Sequence, residues 1–259
     1  MNTPIHNVDE LLKPRMQRVI NFSGGKTSAY MTISEYKSGD IVLFCDTGRE
    51  HPKTYKFIND FEAHENIPVI RLQHEGGFEG MLKKFGNGKY GKKIPNRGMR
   101  ECTFELKIRT ARRYMRSLGF MKYENLIGFR SDEQKRVFAH KEKWQQVKTV
   151  FPLYENGVTK AMINEFWSKK PYNLEIPSVL GNCDLCFMKG KAAIIAILSH
   201  FPELADKWIA DEEASKQYFG HTYVKGITMR EMQQVAKENV SVKYDLDKIE
   251  SAYSCACTT

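Results

Sequence analysis

The chain has 259 residues, 41% hydrophobic and 27% charged, and its 40 Lys+Arg against 31 Asp+Glu give a net charge of +9. This composition argues against a disordered or low-complexity chain, and no stretch approaches the ~18 consecutive apolar residues of a membrane span. The cation excess favours an anionic partner such as a nucleotide or a nucleic acid. The polar start, Met1 to Asn7, lacks the apolar region of a secretory signal, so a cytoplasmic protein with reduced thiols is expected.

Residues 8–16 read as a polar lead-in, followed by a short apolar strand at Val19-Ile20-Asn21-Phe22 and a helix from Ala29 to Tyr36. Ile41 to Cys45 has the compact apolar character of a buried parallel strand and ends at Asp46-Thr47-Gly48. Thr54 to Glu65 is a helix with Tyr55, Phe57, Ile58 and Phe61 on its apolar face, and Pro68 to Leu72 is a third strand. Residues 76–98, rich in glycine and lysine, read as a loop or lid. A basic helix from Cys102 to Leu118 precedes a fourth strand near Tyr123 to Gly128, and a charged stretch then reaches Lys148. Val150 to Leu153 leads to a helix from about Thr159 to Trp167, and Pro171 and Pro177 mark a boundary. Lys191 to Leu198 is an apolar helix, Pro202 suits the first turn of another, and residues 251–259 form a tail. This alternation predicts an α/β fold with a doubly wound parallel sheet and ligands at the carboxyl ends of its strands. The expected division is a nucleotide-binding α/β domain at 1–170 and a small helical subdomain at 171–259 carrying the C-x-x-C and the cysteine tail.

Ser23-Gly24-Gly25-Lys26-Thr27-Ser28 joins the first strand to the first helix. A strand, a tight glycine turn and a helix start gather free backbone N–H groups and the positive end of the helix dipole around one point, which makes a phosphate cradle. Gly24 and Gly25 permit close backbone approach, Ser23, Thr27 and Ser28 bring hydroxyls, and Lys26 can counter phosphate charge. A Walker A loop is rejected, because that motif needs a glycine where Ile20 stands.

With those residues in view, the chain resembles a known family. The loop is similar to the pyrophosphate (PP) loop, Ser-Gly-Gly-x-Asp-Ser, of the adenine-nucleotide α-hydrolase-like superfamily. Phe44-Cys45-Asp46-Thr47-Gly48 with Pro52-Lys53-Thr54-Tyr55 resembles the Asp-Thr-Gly…Pro-Glu-Thr-Tyr segment of phosphoadenosine phosphosulfate (PAPS) reductases. Arg100-Glu101-Cys102 with Leu106-Lys107-Ile108 resembles that family's Cys…Lys segment. Gly128-Phe129-Arg130-Ser131-Asp132-Glu133 with Arg136 resembles its Gly-x-Arg-x-x-Glu-Ser-x-x-Arg segment, and Phe151-Pro152-Leu153 and Trp167 match its Pro-Leu…Trp region. The resemblance spans residues 18–190 and departs in two places. Thr27 replaces the loop aspartate, and the family's C-terminal Glu-Cys-Gly-Leu-His motif is missing, with Cys255 and Cys257 in a similar place.

The resemblance implies that an adenine nucleotide, ATP or PAPS, binds to Ser23, Gly24, Gly25, Lys26, Thr27 and Ser28 together with Asp46, Gly128, Arg130 and Arg136. Asp46 would hold a ribose hydroxyl or Mg²⁺, and Cys257 or Cys255 would be the nucleophile. Cys183-Asp184-Leu185-Cys186 can bind one metal ion or cluster, and the resemblance sets Cys102 opposite it as a third ligand. A [4Fe–4S] cluster with one open iron, zinc as second choice, and plain reduced thiols all stay open, while Cys45 reads as a core residue. The leading function is sulfonucleotide reduction. The alternatives are an ATP-dependent adenylating sulfurtransferase that thiolates a nucleobase in RNA or DNA, and a binding protein that kept the fold and lost the chemistry. Expected partners are the nucleotide, a dithiol or sulfur-donor protein and RNA or DNA, with a homo-oligomer left open and no membrane. Arg109, Arg112, Arg113 and Arg116 form a positive stripe that reads equally as an anion site or as a solvated helix face.

Overall fold

The computed structural model describes residues 16–86, 93–140, 146–216, 222–239, 244–246 and 249. Five parallel strands, β1 (Gln17–Asn21), β2 (Ile41–Asp46), β3 (Ile70–Gln73), β4 (Tyr123–Leu126) and β5 (Val147–Val150), lie in the order β3-β2-β1-β4-β5. The chain enters at the central strand, builds outward to β3, then returns to the other side of β1 for β4 and β5. The winding reverses between β1 and β4, and a crevice opens there at the carboxyl ends of the strands. Asn21 closes its floor, donating from Nδ2 to Asn125 Oδ1 at 2.7 Å and to the Leu126 carbonyl at 2.9 Å.

Period-two alternation sends β1 and β2 residues to two covered faces. Ile20, Phe22, Val42 and Phe44 face the larger core, with α1 (Lys26–Glu35), α2 (Pro52–Glu65) and α7 (Lys160–Ser168). Val19 and Leu43 face a smaller core with Met115 of α4 (Thr110–Ser117), Tyr123 and Val147. The sheet is therefore wound on both sides, as the strand–helix alternation predicts. Local chemistry starts and stops the helices. His51 caps α2 through Nδ1, which accepts from the Lys53 amide, Pro52 fills the first helical position, and Asn66 ends the helix at φ 53°.

Several sequence expectations are corrected. Residues 77–85 of the supposed loop form helix α3 (Gly77–Phe85), because Phe78, Met81 and Leu82 lie on one face and are buried; residues 87–92 lie outside the described chain. The basic helix is two pieces, a π-helical stretch at Thr103–Arg109 followed by α4. The charged stretch contains a 3₁₀ turn (Ser131–Glu133), α5 (Gln134–Ala139) and the strand β5 that the charges concealed. Short α6 (Pro152–Glu155) follows β5.

Beyond residue 170 the described chain adds helices only, namely α8 (Lys191–His200), α9 (Ala205–Lys216) and α10 (Met229–Glu238) with short 3₁₀ turns. Their apolar residues, including Ile194, Trp208 and Met232, join the same continuous core as Ile20 and Phe44. No helix among the described residues is long and apolar enough to cross a membrane.

Candidate active site

The phosphate loop occupies the carboxyl end of β1, on the crevice. Gly24 adopts φ 75°, and a Cβ there would stand 2.6 Å from Thr54 Cγ2, so only glycine fits this turn. Two serines hold the loop in shape rather than face outward. Ser28 Oγ accepts from the Ser23 amide at 3.0 Å and donates to the Gly25 carbonyl at 2.9 Å, and the two serine hydroxyls lie 3.0 Å apart. Helix α1 begins at Lys26 with no capping side chain and no acidic residue in its first turn, which leaves its positive end open to an anion. Buried Trp167 donates from Nε1 to the Lys26 carbonyl at 2.9 Å, a link across 141 positions of sequence.

Across the crevice, Gly128 follows β4 and packs on the loop, where a Cβ would meet Ser28 Cα and Thr27 Cγ2 at 3.7 Å. Arg130 donates from its amide to Glu133 Oε2 at 3.1 Å and from Nε to Asp132 Oδ1 at 2.8 Å. Arg136 pairs with Glu133 Oε1 at 2.5 Å and lays its guanidinium 4.1 Å over the Phe129 ring. Burial, opposed by Glu133 and reinforced by the charges of Arg130 and Arg100, lowers the Arg136 pKa from its ordinary value. The charges of Arg130 and Arg100 thus act on Arg136, and Glu133 pairs with both Arg130 and Arg136.

The other flank is a buried polar chain that starts at the strand end of β2. Asp46 Oδ1 accepts from the Gly48 amide and from the Tyr55 hydroxyl, each at 2.7 Å. Tyr55 also reaches Glu50 Oε2 at 3.5 Å, Thr47 Oγ1 donates to Glu50 Oε1 at 2.8 Å, and the same hydroxyl lies 3.3 Å from Cys183 Sγ. An isolated β-bridge between Glu50 and Cys183, with the Asp184 amide donating to the Arg49 carbonyl at 2.9 Å, fastens the C-x-x-C loop to this turn.

Lys107 is the charge at the centre of this flank. Burial opposes its ammonium, but Cys183, Glu50, Cys45 and Cys186 together raise its pKa. Burial pushes the Cys102 thiol up to about 11, with Cys186 adding to the rise, and pushes Cys45 up to about 11 and Cys183 higher still. Burial likewise raises Glu50, offset in part by Lys107 and the Thr47 hydroxyl. The C-x-x-C loop rests on a second buried ammonium: Lys189 Nζ donates to the carbonyls of Gly181 at 3.1 Å and of Cys183 and Asp184 at 2.8 Å.

Cys102, Cys183 and Cys186 therefore share one neighbourhood, together with the unanticipated Cys45, whose Sγ lies 3.6 Å from the Lys107 carbonyl. Among the described residues, no group of three or more His, Cys, Asp or Glu side chains is arranged to hold a metal ion. As arranged, these sulfurs do not form a ligand cage. Cys255 and Cys257 lie outside the described residues.

Sequence reading missed Glu50, Arg49 and Lys189 as parts of this flank. Arg49, buried against Phe78 and Trp208, pairs with Asp211 at 2.5 Å, and Tyr223 donates to the same carboxylate at 3.1 Å. Arg49 and Glu50 find Asp211 and Cys183 more than a hundred positions away, whereas Lys189 meets carbonyls five to eight residues before it. Within the basic stripe, Arg109 is committed to buried Glu105 at 2.8 Å.

A parallel α/β sheet with a glycine loop at its switch point defines the doubly wound class. The family model described as the phosphoadenosine phosphosulfate reductase domain matches residues 17–173, more than half of the chain, and the chain belongs to that family. An uncharacterized nin region protein of Escherichia phage lambda is 31% identical over 211 residues, covering 69% of this chain and 68% of the phage protein. An uncharacterized protein of Methanocaldococcus jannaschii is 28% identical over 233 residues, 84% of this chain, which spans only 45% of that relative. A solved phosphoadenylyl-sulfate (PAPS) reductase from Candida auris, in a phosphate complex, aligns at 19% identity and a TM-score of 0.43, covering 63% of this chain and 77% of that one.

Proposed function

We propose that this protein binds an adenine nucleotide on residues 23–28 and carries out thiol-dependent sulfur chemistry beside it, with sulfonucleotide reduction as the leading reaction. The observation that carries this reading is the hydrogen-bonded chain from Asp46 through Tyr55, Glu50 and Thr47 to Cys183. It joins the strand end next to the phosphate loop to a group of sulfurs. In this reading Gly24, Gly25 and Lys26 hold phosphate, and Ser23, Thr27 and Ser28 shape the loop. Asp46 anchors ribose or Mg²⁺, and Gly128 leaves room for the nucleotide. Arg130 and Arg136 neutralise the second anionic group. Cys257 or Cys255 supplies the nucleophilic thiolate, and a dithiol protein restores it.

A second reading, ATP-dependent thiolation of a nucleobase in RNA or DNA, draws support from the proximity of Cys102, Cys183 and Cys186. It would need Cys102, Cys183 and Cys186 to close around a [4Fe–4S] cluster or zinc, a ligand set that their present arrangement does not form. The buried ammonium of Lys107 offsets thiolate charge at that centre. Loss of catalysis with retained nucleotide binding is the third outcome.

A product assay separates the three. Sulfite release from PAPS with a dithiol donor selects reduction, and ATP conversion to AMP and pyrophosphate stimulated by RNA or DNA selects thiolation. Tight nucleotide binding with neither activity selects the binding protein. Lys26→Ala should weaken nucleotide binding by about tenfold or more, as expected for loss of a charge-assisted phosphate contact; unchanged binding refutes the loop assignment. Iron, zinc and acid-labile sulfide analysis of anaerobic protein tests the three-cysteine centre, and metal-free protein excludes it.

A further inference from the structure

Helix α5 and the short helix α6 stand at the carboxyl ends of β4 and β5, on the rim of the crevice. Phe138 on α5 is 71% exposed, the highest exposure of a large apolar residue among the described residues. Its ring meets half-buried Tyr154 of α6 edge-on, with centroids 6.4 Å apart and planes at 71°. Exposed Lys135 lies three residues before Phe138, hence on the same helical face. On the same rim Arg136 covers Phe129, and Phe129 stacks on Phe151 at 5.3 Å and 8°.

A phenylalanine left in water forgoes the stabilisation that burial would give it. Phe138 is not part of a wide apolar face of the kind that receives a protein helix, because Asp132, Lys135 and Glu155 are exposed nearby in the chain. An exposed ring with exposed Lys135 on its own helical face, on a chain of net charge +9, complements a ligand that alternates flat π-faces with negative charge.

We propose that Phe138 and Tyr154 form a stacking platform for an unpaired base of a single-stranded nucleic acid, with Lys135 meeting its backbone phosphate. This deepens the reading in which the acceptor is RNA or DNA and rests on that reading for the purpose of the site. The platform stands at the same carboxyl ends of the parallel strands as Gly128 and the 23–28 loop. Duplexes are poor ligands because their bases already stack on one another.

The test is fluorescence anisotropy with labelled 15-nucleotide RNA and DNA single strands and the matching duplexes, using the full chain. Wild-type protein should bind single strands more tightly than duplexes. Phe138→Ala should weaken single-strand binding about tenfold, Phe138→Trp should retain it, and Lys135→Gln should flatten its salt dependence. ATP binding, measured on the same preparations, should be the same in all variants and reports that the fold is intact. Single-strand binding unchanged by Phe138→Ala, equal affinity for duplex, or no binding by wild-type protein would overturn the proposal. Loss of ATP binding by wild-type protein, with the oligonucleotide results as expected, would instead defeat the nucleotide reading and leave the platform standing.

Discussion

The two flanks of the crevice are built by opposite means. The phosphate loop is local: Ser23 to Ser28 are contiguous, hydrogen bonds among Ser23, Gly25 and Ser28 hold them in shape, and Trp167 adds one distant clasp. The thiol flank assembles from Thr47, Glu50, Cys102, Lys107, Cys183 and Cys186, brought together by long-range contacts and an Arg49–Asp211 ion pair. A local device survives damage elsewhere in the fold, whereas an assembled one depends on the burial that creates it. The thiol flank should therefore be the more fragile half.

The sharpest attempt to break this contrast removes Asp211, which leaves the Arg49 guanidinium buried without its carboxylate. Asp211→Ala should lose about 3–5 kcal/mol in urea denaturation and expose Cys183 and Cys186 to thiol reagents. A loss below ~1 kcal/mol would mean that this pair does not hold the flank together.

Next in size is the local device itself. Gly24→Ala forces a Cβ onto Thr54 at a φ of 75°. The strain should be about 1–3 kcal/mol, with at least tenfold weaker nucleotide binding and ordinary thiol accessibility. Equal damage to both flanks would erase the distinction between them.

A smaller effect is expected at the clasp. Trp167→Phe keeps the ring but loses the hydrogen bond to the Lys26 carbonyl, worth about 1 kcal/mol. Nucleotide titration should show a few-fold weaker affinity; unchanged affinity would make Trp167 a core residue alone.

The smallest effect tests the polar link between α3 and the π-helical stretch. Burial favours the neutral form of Glu105, but hydrogen bonds from Lys84 and Arg109 outweigh it and hold its pKa below the ordinary value. An acid depressed by folding stabilises fully above its unfolded pKa of about 4.3, and this stabilisation fades as pH falls through the lower folded value. Lys84 and Arg109 are 48% and 42% exposed, so solvent screening keeps the contribution below about 1 kcal/mol. The melting-temperature gap between wild type and Glu105→Gln should shrink as the buffer is taken below about pH 4; a gap that grows there would reverse the sign.

How much could be read in advance follows the same division. Strands β1 and β2 and helix α2 were legible because apolar spacing and a terminal proline act within a few residues. Helix α3 was obscured by its glycines and lysines, although Phe78, Met81 and Leu82 carry the helical period. Strand β5 was hidden because Val147-Lys148-Thr149-Val150 is short and charged, and pairing with β4 decides its state. At the site, the cysteine pair and Lys26 stood out, but Cys45 read as core until the fold set it beside Lys107.

The sequence by itself determined the parallel α/β class, the glycine loop and the ordered motifs that carry the family membership. Each depends on short-range sterics or on periodicity, which neighbouring residues specify. Only the tertiary structure decided that Glu50 bridges to Cys183, that Lys107 gathers the sulfurs, and that Arg49 is neutralised by Asp211. Charges and thiols are not specified by their neighbours in the chain. In water they would stay solvated and apart, and the burial created by packing the C-terminal helices against the end of β2 makes them partners.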